Sequence, residues 1–223
     1  LKVIIDQVLS HTSDLHEWFK DSRKNRTNDK ADWYVWVDPK PDGTPPNNWQ
    51  SVFGGPAWTY DVRRGQYYFH AFLREQPDLN LYNPVVKKAV FDAMRFWLDM
   101  GVDGFRLDVA NHFLHDDQLR DNPPNPNPPT VGFNIDFAVP YMMQKHSFDK
   151  SQPQNVALME EVRAVIDEYD NRMTVGEIGD DRGVQIAAEY TDGENRLHTA
   201  YNFSLISGTE LSASYISKAV KEF

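Results

Sequence analysis

Arg106 and Asp108 stand two residues apart in the stretch Gly104-Phe105-Arg106-Leu107-Asp108-Val109-Ala110-Asn111-His112. In a β-strand, residues i and i+2 point to the same face, so a guanidinium and a carboxylate would sit side by side near a strand's C-terminal end. The guanidinium keeps the carboxylate ionised and oriented. That is the state a covalent nucleophile or an electrostatic stabiliser requires. A structural ion pair is the plainer reading of an Arg-x-Asp taken alone. Two other groups change the odds. Glu177 lies at the C-terminal end of the strand-like run RMTVGEI, and His11 follows the apolar run VIIDQVL, which contains Asp6. Asp108 with Glu177 suits two-carboxylate glycoside hydrolysis, in which one carboxylate attacks the anomeric carbon and the other donates a proton to the leaving oxygen. The charged sequence neighbours of Glu177 are Asp180 and Asp181, and acidic charge raises a carboxyl pKa, as a general acid needs. His11 reads equally as a capping core histidine or as a site residue.

These groups need strands to carry them. Residues 3–9 read as a strand buried on both faces. Residues 12–75 hold much of the Trp and Tyr content among scattered Pro, Gly and Asn, with one short helix near 16–26 and short strands such as 66–72. So long an irregular stretch is usually functional or a small subdomain. Its aromatics are either that subdomain's core or stacking platforms for sugar rings. Asn83-Pro84 opens a helix that runs to about Met100, with Val86, Val90, Met94, Trp97 and Leu98 at helical spacing, and Gly101 ends it. A strand follows at 104–109, then a proline-rich, extended and semi-rigid loop at 121–130. Next come a helix over 155–169 (Val156, Met159, Val162, Val165 and Ile166 on one face), a strand over 172–178, a helix over 184–190, a strand over 197–206 and a helix over 209–221 opened by residue 207 or 209. The alternation implies βα units and a parallel sheet. Four such strands make half of an eight-stranded barrel. The alternative is a doubly wound sheet, weakened because no Gly-rich phosphate turn follows the first strand.

The 223 residues carry 23 Lys+Arg against 33 Asp+Glu, a formal charge of −10. An acidic chain without a basic run is a poor partner for nucleic acid or an anionic membrane. No apolar run is long enough to span a bilayer. Cysteine is absent, which excludes disulfides and thiolate metal sites and fits a reducing, cytoplasmic setting. The chain starts at Leu1 inside a strand pattern and stops at Phe223 in a helical one, so an internal piece of a longer protein is expected.

In this order the motifs resemble those of the α-amylase superfamily, glycoside hydrolase family 13. Asp6-Gln7-Val8-Leu9-Ser10-His11 is similar to the family's D-x-V-x-N-H, Gly104 to Asp108 matches G-F-R-x-D, and Gly176-Glu177 matches G-E. Gln76 to Asn80 (QPDLN) resembles the block of the oligo-1,6-glucosidase and α-glucosidase branch. The resemblance covers nearly the whole chain. It implies an α/β fold, a partial (β/α)8 barrel of about strands three to six. The parts would be residues 1–11 (strand three), 12–75 (the inserted domain B) and 76–223 (helix three through helix six). It further implies a retaining α-glucosidase acting on maltose- or isomaltose-type substrates. In that family Asp108 would be the nucleophile, Glu177 the acid/base, and Arg106 the residue that orients Asp108. Asp6, His11, Phe53, Phe72, Val109 and Asn111 would contact substrate. Val after the nucleophile accompanies α-1,6 cleavage in relatives, although a β-branched residue also simply suits a strand. Ser10 replaces an Asn that in amylases contributes to a calcium site, so no metal is expected there, and no cofactor. The family's fourth motif, with a third catalytic Asp, is missing, so the isolated chain is expected to be inactive. A transglucosylase, a sucrose or trehalose isomerase, and a non-catalytic binding relative are the alternatives. An oligosaccharide or disaccharide is the expected partner, with neither nucleic acid nor membrane.

Overall fold

The structure, a computed structural model, describes residues 1–128, 139–203 and 212–222. In chain order the elements are β1 (Ile4–Gln7), α1 (Glu17–Ser22), β2 (Trp36–Val37), β3 (Trp58–Asp61), β4 (Gln66–Phe69), α2 (Pro84–Asp99) and β5 (Gly104–Leu107). A 3-10 turn (Ala110–His112) follows, then α3 (Val139–Met142), α4 (Asn155–Ile166), β6 (Met173–Ile178), α5 (Gly183–Thr191), β7 (Thr199–Asn202) and α6 (Ala213–Glu222). The expected cap of α6 at residue 207 or 209 lies outside the described residues, as do the last two residues of the 121–130 loop. The chain divides into two compact units.

The first unit comprises Leu1–Val8, Val90–Phe113 and Pro153–Phe223. It is built on a four-stranded sheet of order β1-β5-β6-β7, with every pair parallel. Successive strands are neighbours, as right-handed βα crossovers favour. Alternation sorts the side chains. Phe105, Leu107, Ile178 and Ala200 are buried on one face, where α4 and α5 contact β6 and β7. From α4 come Leu158, Met159, Val162, Val165 and Ile166; Leu158 takes a core place expected of Val156, which is only half-buried. The opposite face carries Asp6, Arg106, Glu177 and Tyr201. β5 and β6 approach closely at Gly104, whose φ is +153°, and a Cβ there would lie 2.0 Å from the Met173 carbonyl oxygen. Only glycine fits this position.

Two sequence expectations fail in this unit. β1 is not buried on both faces: Val3 and Ile4 are 47% and 42% exposed. β1 ends the sheet order, with β5 its only strand partner among the described residues, so its apolar side chains lack a covering layer there. In α2 the buried line is Val86, Val90, Met94 and Leu98, an i, i+4 stripe, whereas Trp97 lies at its margin, 39% exposed beside Phe96.

The second unit comprises Leu9–Ala89 and Leu114–Gln152 and holds a three-stranded antiparallel sheet of order β2-β4-β3. Most of its aromatics form the core rather than open stacking platforms. Phe19 packs edge-on to Tyr34 and Tyr68 and stacks on Trp36, and Trp49 meets Trp58 and Phe69. The two buried indole N–H groups are satisfied: Trp49 Nε1 donates to the Arg120 carbonyl (2.9 Å) and Trp58 Nε1 to Asn47 Oδ1 (2.7 Å). The start of the proline-rich loop is tied down by the Asn48 side chain, whose Nδ2 donates to the Asn122 carbonyl (2.9 Å) and whose Oδ1 accepts from the Asn122 N–H (2.8 Å).

Candidate active site

Register builds the site of the first unit. Asp6 pairs with Arg106, and Arg106 with Val175. Glu177 pairs with Tyr201. Registered neighbours in a parallel sheet face the same side, so Asp6 and Arg106 occupy one layer. One step nearer the C-terminal strand ends, past the Leu107–Gly176 pair, Asp108, Glu177 and Tyr201 occupy the next. Asp108 lies just beyond β5, yet its N–H still donates to the Gln7 carbonyl (3.1 Å) and so keeps the ladder's alignment.

One guanidinium joins all of these groups. Arg106 Nη1 donates to Asp6 Oδ1 (2.7 Å) and to Asp108 Oδ1. Nη2 lies 2.5 Å from Glu177 Oε2, and Nε donates to the Tyr201 hydroxyl (3.0 Å). Burial disfavours the charge of Arg106. The bonds to Asp6, Tyr201 and Asp108, with the charge of Glu177, outweigh this and hold the guanidinium protonated well above its ordinary range. Glu177 is 12% exposed, whereas Asp6 is 61% exposed. Burial pushes the Glu177 carboxyl above the usual glutamate range. The Val109 N–H and Arg106 pull it down, and Asp108 pushes it up by charge and hydrogen bonding, so that the net direction is upward.

The backbone after Asp108 is unusual. Val109 has φ 42° and ψ 50°, a left-handed conformation, and leads into the 3-10 turn. Its N–H donates to Glu177 Oε2 (3.0 Å). Asn111 is fully buried: its Nδ2 donates to the Gly179 carbonyl (3.1 Å), its Oδ1 accepts from the Gly179 N–H (3.3 Å), and Asn155 donates to its backbone oxygen. It thus ties the turn after β5 to the loop after β6. Gly176 sits on the covered face, where a Cβ would come within 2.8 Å of the Leu197 side chain.

The other sequence-derived residues form a row in the second unit. His11 and Phe72 have ring centroids 5.6 Å apart, and Phe72 and Phe53 5.7 Å. Phe72 is buried and Phe53 is 42% exposed. Gln76 Oε1 accepts from the Leu73 N–H, which orients the amide so that Nε2 donates to His11 Nε2 (3.1 Å). His11 Nδ1–H then donates to Ser10 Oγ (2.9 Å), so this tautomer follows from the network. Ser10 is a partner of the histidine.

Sequence reasoning missed Tyr201. Its signal was the alternation in β7, but only the register with Glu177 turns that into a site position. Among the described residues no cluster of His, Asp and Glu could hold a metal ion, and no helix is long and apolar enough to cross a membrane.

The α-amylase catalytic-domain family matches residues 1–222. The chain is 50% identical over 224 residues to a probable alpha-glucosidase of Rhizobium meliloti (strain 1021), covering all of this chain and 41% of that protein. It is 44% identical over 209 residues to an oligo-1,6-glucosidase of Heyndrickxia coagulans, covering 91% of this chain and 34% of that one. Among solved structures, the alpha-glucosyl transfer enzyme XgtA superposes with a TM-score of 0.93 at 52% identity, covering 99% of this chain and 41% of that one. The chain therefore spans between 34% and 41% of the length of these relatives. Its parallel strands are those of a (β/α)8 barrel, and its antiparallel sheet corresponds to domain B. By motif, fold and match along its length, the chain belongs to the α-amylase family, glycoside hydrolase family 13.

Proposed function

We propose that the protein is a retaining α-glucosidase for short α-glucosides of maltose or isomaltose type, with Asp108 as nucleophile and Glu177 as acid/base. The observation that carries this reading is the single guanidinium of Arg106, bonded at once to Asp108 and Glu177. In the first half-reaction an Asp108 oxygen bonds to the anomeric carbon while the glycosidic C–O bond breaks, and Glu177 gives its proton to the departing oxygen. In the second, Glu177 takes a proton from water, whose oxygen bonds to the anomeric carbon and releases Asp108. Arg106 binds and orients Asp108, and burial with the adjacent Asp108 favours the protonated Glu177 that the first step needs. Asp6, more exposed than Glu177 and held by Arg106, is proposed to accept hydrogen bonds from sugar hydroxyls. In the second unit, the half-exposed Phe53 and the His11 edge are proposed as sugar contacts. The chain is proposed to need no metal at Ser10.

The test is to substitute each carboxylate in the full-length protein. Asp108→Ala should abolish turnover of maltose and isomaltose. Glu177→Gln should lose turnover of ordinary glucosides yet form a glucosyl ester from a donor whose leaving group needs no proton, seen as a mass increase on the protein. Full activity of either variant on disaccharides would sink the assignment. A glucosyl-transferring enzyme is the second reading, favoured by the 52% identity to the alpha-glucosyl transfer enzyme XgtA. Products formed from concentrated maltose or sucrose separate the two: free glucose marks hydrolysis, and new oligosaccharides or isomers mark transfer.

A further inference from the structure

We propose that Tyr201 is a positioning residue of this site: its hydroxyl fixes the rotation of Arg106, so that one guanidinium serves Asp108 and Glu177 together. The proposal rests on the catalytic reading above. A guanidinium has five N–H groups in a fixed plane. In this chain Nη1 is committed to Asp6 and Asp108, and Nη2 to Glu177. These bonds leave the Nε–H as a further donor of the plane. That donor is taken by the Tyr201 hydroxyl at 3.0 Å, a further point that fixes the rotation of the plane. The arrangement follows from register. Tyr201 is the β7 partner of Glu177, so the residue that steadies the guanidinium grows from the strand beside the acid. The phenol ring is itself held, edge-on to Phe203. A neutral acceptor suits this place. A third carboxylate would satisfy Nε but would add negative charge beside two carboxyl groups whose protonation must differ. The groups around Glu177 are Arg106 and Asp108 from β5 and its turn and Tyr201 from β7, with Asp6 of β1 reached through Arg106.

The experiment is Tyr201→Phe in the full-length protein, alone and combined with Arg106→Lys. Phe keeps the ring and removes one acceptor. Loss of a hydrogen bond to a charged group predicts a fall in kcat of about tenfold with KM within about twofold. The alkaline limb of the kcat/KM profile should move to higher pH, because a loosened Arg106 lowers the Glu177 pKa less. Lysine has no Nε–H donor at that position, so Tyr201→Phe should add no further loss in the Arg106→Lys background. Unchanged kcat and an unmoved limb overturn the proposal, as does an equal loss in both backgrounds, which would mark a merely structural tyrosine. Asp108→Ala separates the two layers of the argument. Retained turnover there overturns the catalytic reading and this proposal with it. Lost turnover there with a silent Tyr201→Phe overturns this proposal alone.

Discussion

Val109 donates its backbone N–H to Glu177 Oε2 at 3.0 Å from a left-handed conformation that a β-branched side chain rarely adopts. Such a residue costs about 1–3 kcal/mol and persists only where its surroundings enforce it. Here the enforced geometry links the turn after Asp108 to Glu177. Val109→Gly should therefore relieve strain and raise stability by up to about 1 kcal/mol, while kcat falls because the amide is no longer held toward Glu177. Thermal unfolding and steady-state kinetics of the full-length protein read both quantities. A stabilised variant with undiminished kcat would mean that the strained turn serves only the fold.

Glu177 carries the second expectation. Burial raises its pKa first, and Asp108 raises it further against the pull of Val109 and Arg106. Asp108→Asn removes a negative charge and leaves a similar shape. The Glu177 titration, followed by carboxyl carbon NMR, should move to lower pH in that variant. In its proposed role as general acid Glu177 is protonated, so the protein with Asp108 in place should keep activity to higher pH than one with an ordinary glutamate would. An unmoved titration would assign the whole upward shift to burial.

The resemblance also ties Val109 to linkage preference. Val109→Thr should lower the ratio of isomaltose to maltose turnover, measured as the ratio of the two kcat/KM values. A ratio that stays constant would leave Val109 with its backbone role alone.

The parallel alternation, the order of strands and the carboxylates at their ends were legible in the sequence because period and punctuation are local. What failed depended on neighbours. Whether β1 is covered depends on what lies beyond the sheet's last strand, and Ile4 is exposed for that reason. Trp97 fits the helical period within one position and still falls at the margin of the buried stripe. Tyr201 became a site residue only through its register with Glu177. The bonds of Asn111 to the Gly179 backbone were likewise visible only once β5 and β6 were neighbours, and the aromatics of β2–β4 filled a core because that small sheet has few other apolar side chains to bury.

Gly104 and Gly101 both have positive φ but differ in what surrounds them. At Gly104 a Cβ would collide with the Met173 backbone, which cannot move without breaking the β5–β6 pairing. Gly104→Ala should cost about 3 kcal/mol or more. At Gly101 there is nothing within 4 Å, so Gly101→Ala should cost only the conformational term, about 1 kcal/mol. Urea unfolding of the two variants compares them directly. Equal losses would show that backbone conformation, and not the close approach of the strands, dominates at Gly104.

Asp78 in the second unit offers a stability test independent of catalysis. It is buried, and its carboxyl accepts the Ala71 N–H at 2.8 Å. Burial outweighs that bond and pushes its pKa well above the usual aspartate value. A folded-state pKa raised above the unfolded one gives a contribution to stability that is full below about pH 4 and is lost as pH rises through the raised value. Asp78→Asn keeps an oxygen acceptor for Ala71 and cannot ionise. Its stability should therefore fall less with rising pH than that of the parent protein. Asp78→Ala instead strands the Ala71 N–H and should cost about 1–3 kcal/mol at every pH. Denaturant midpoints across pH distinguish the two, because a parent protein whose stability tracks Asp78→Asn at all pH values would mean that Asp78 ionises in the folded state as readily as in the unfolded chain.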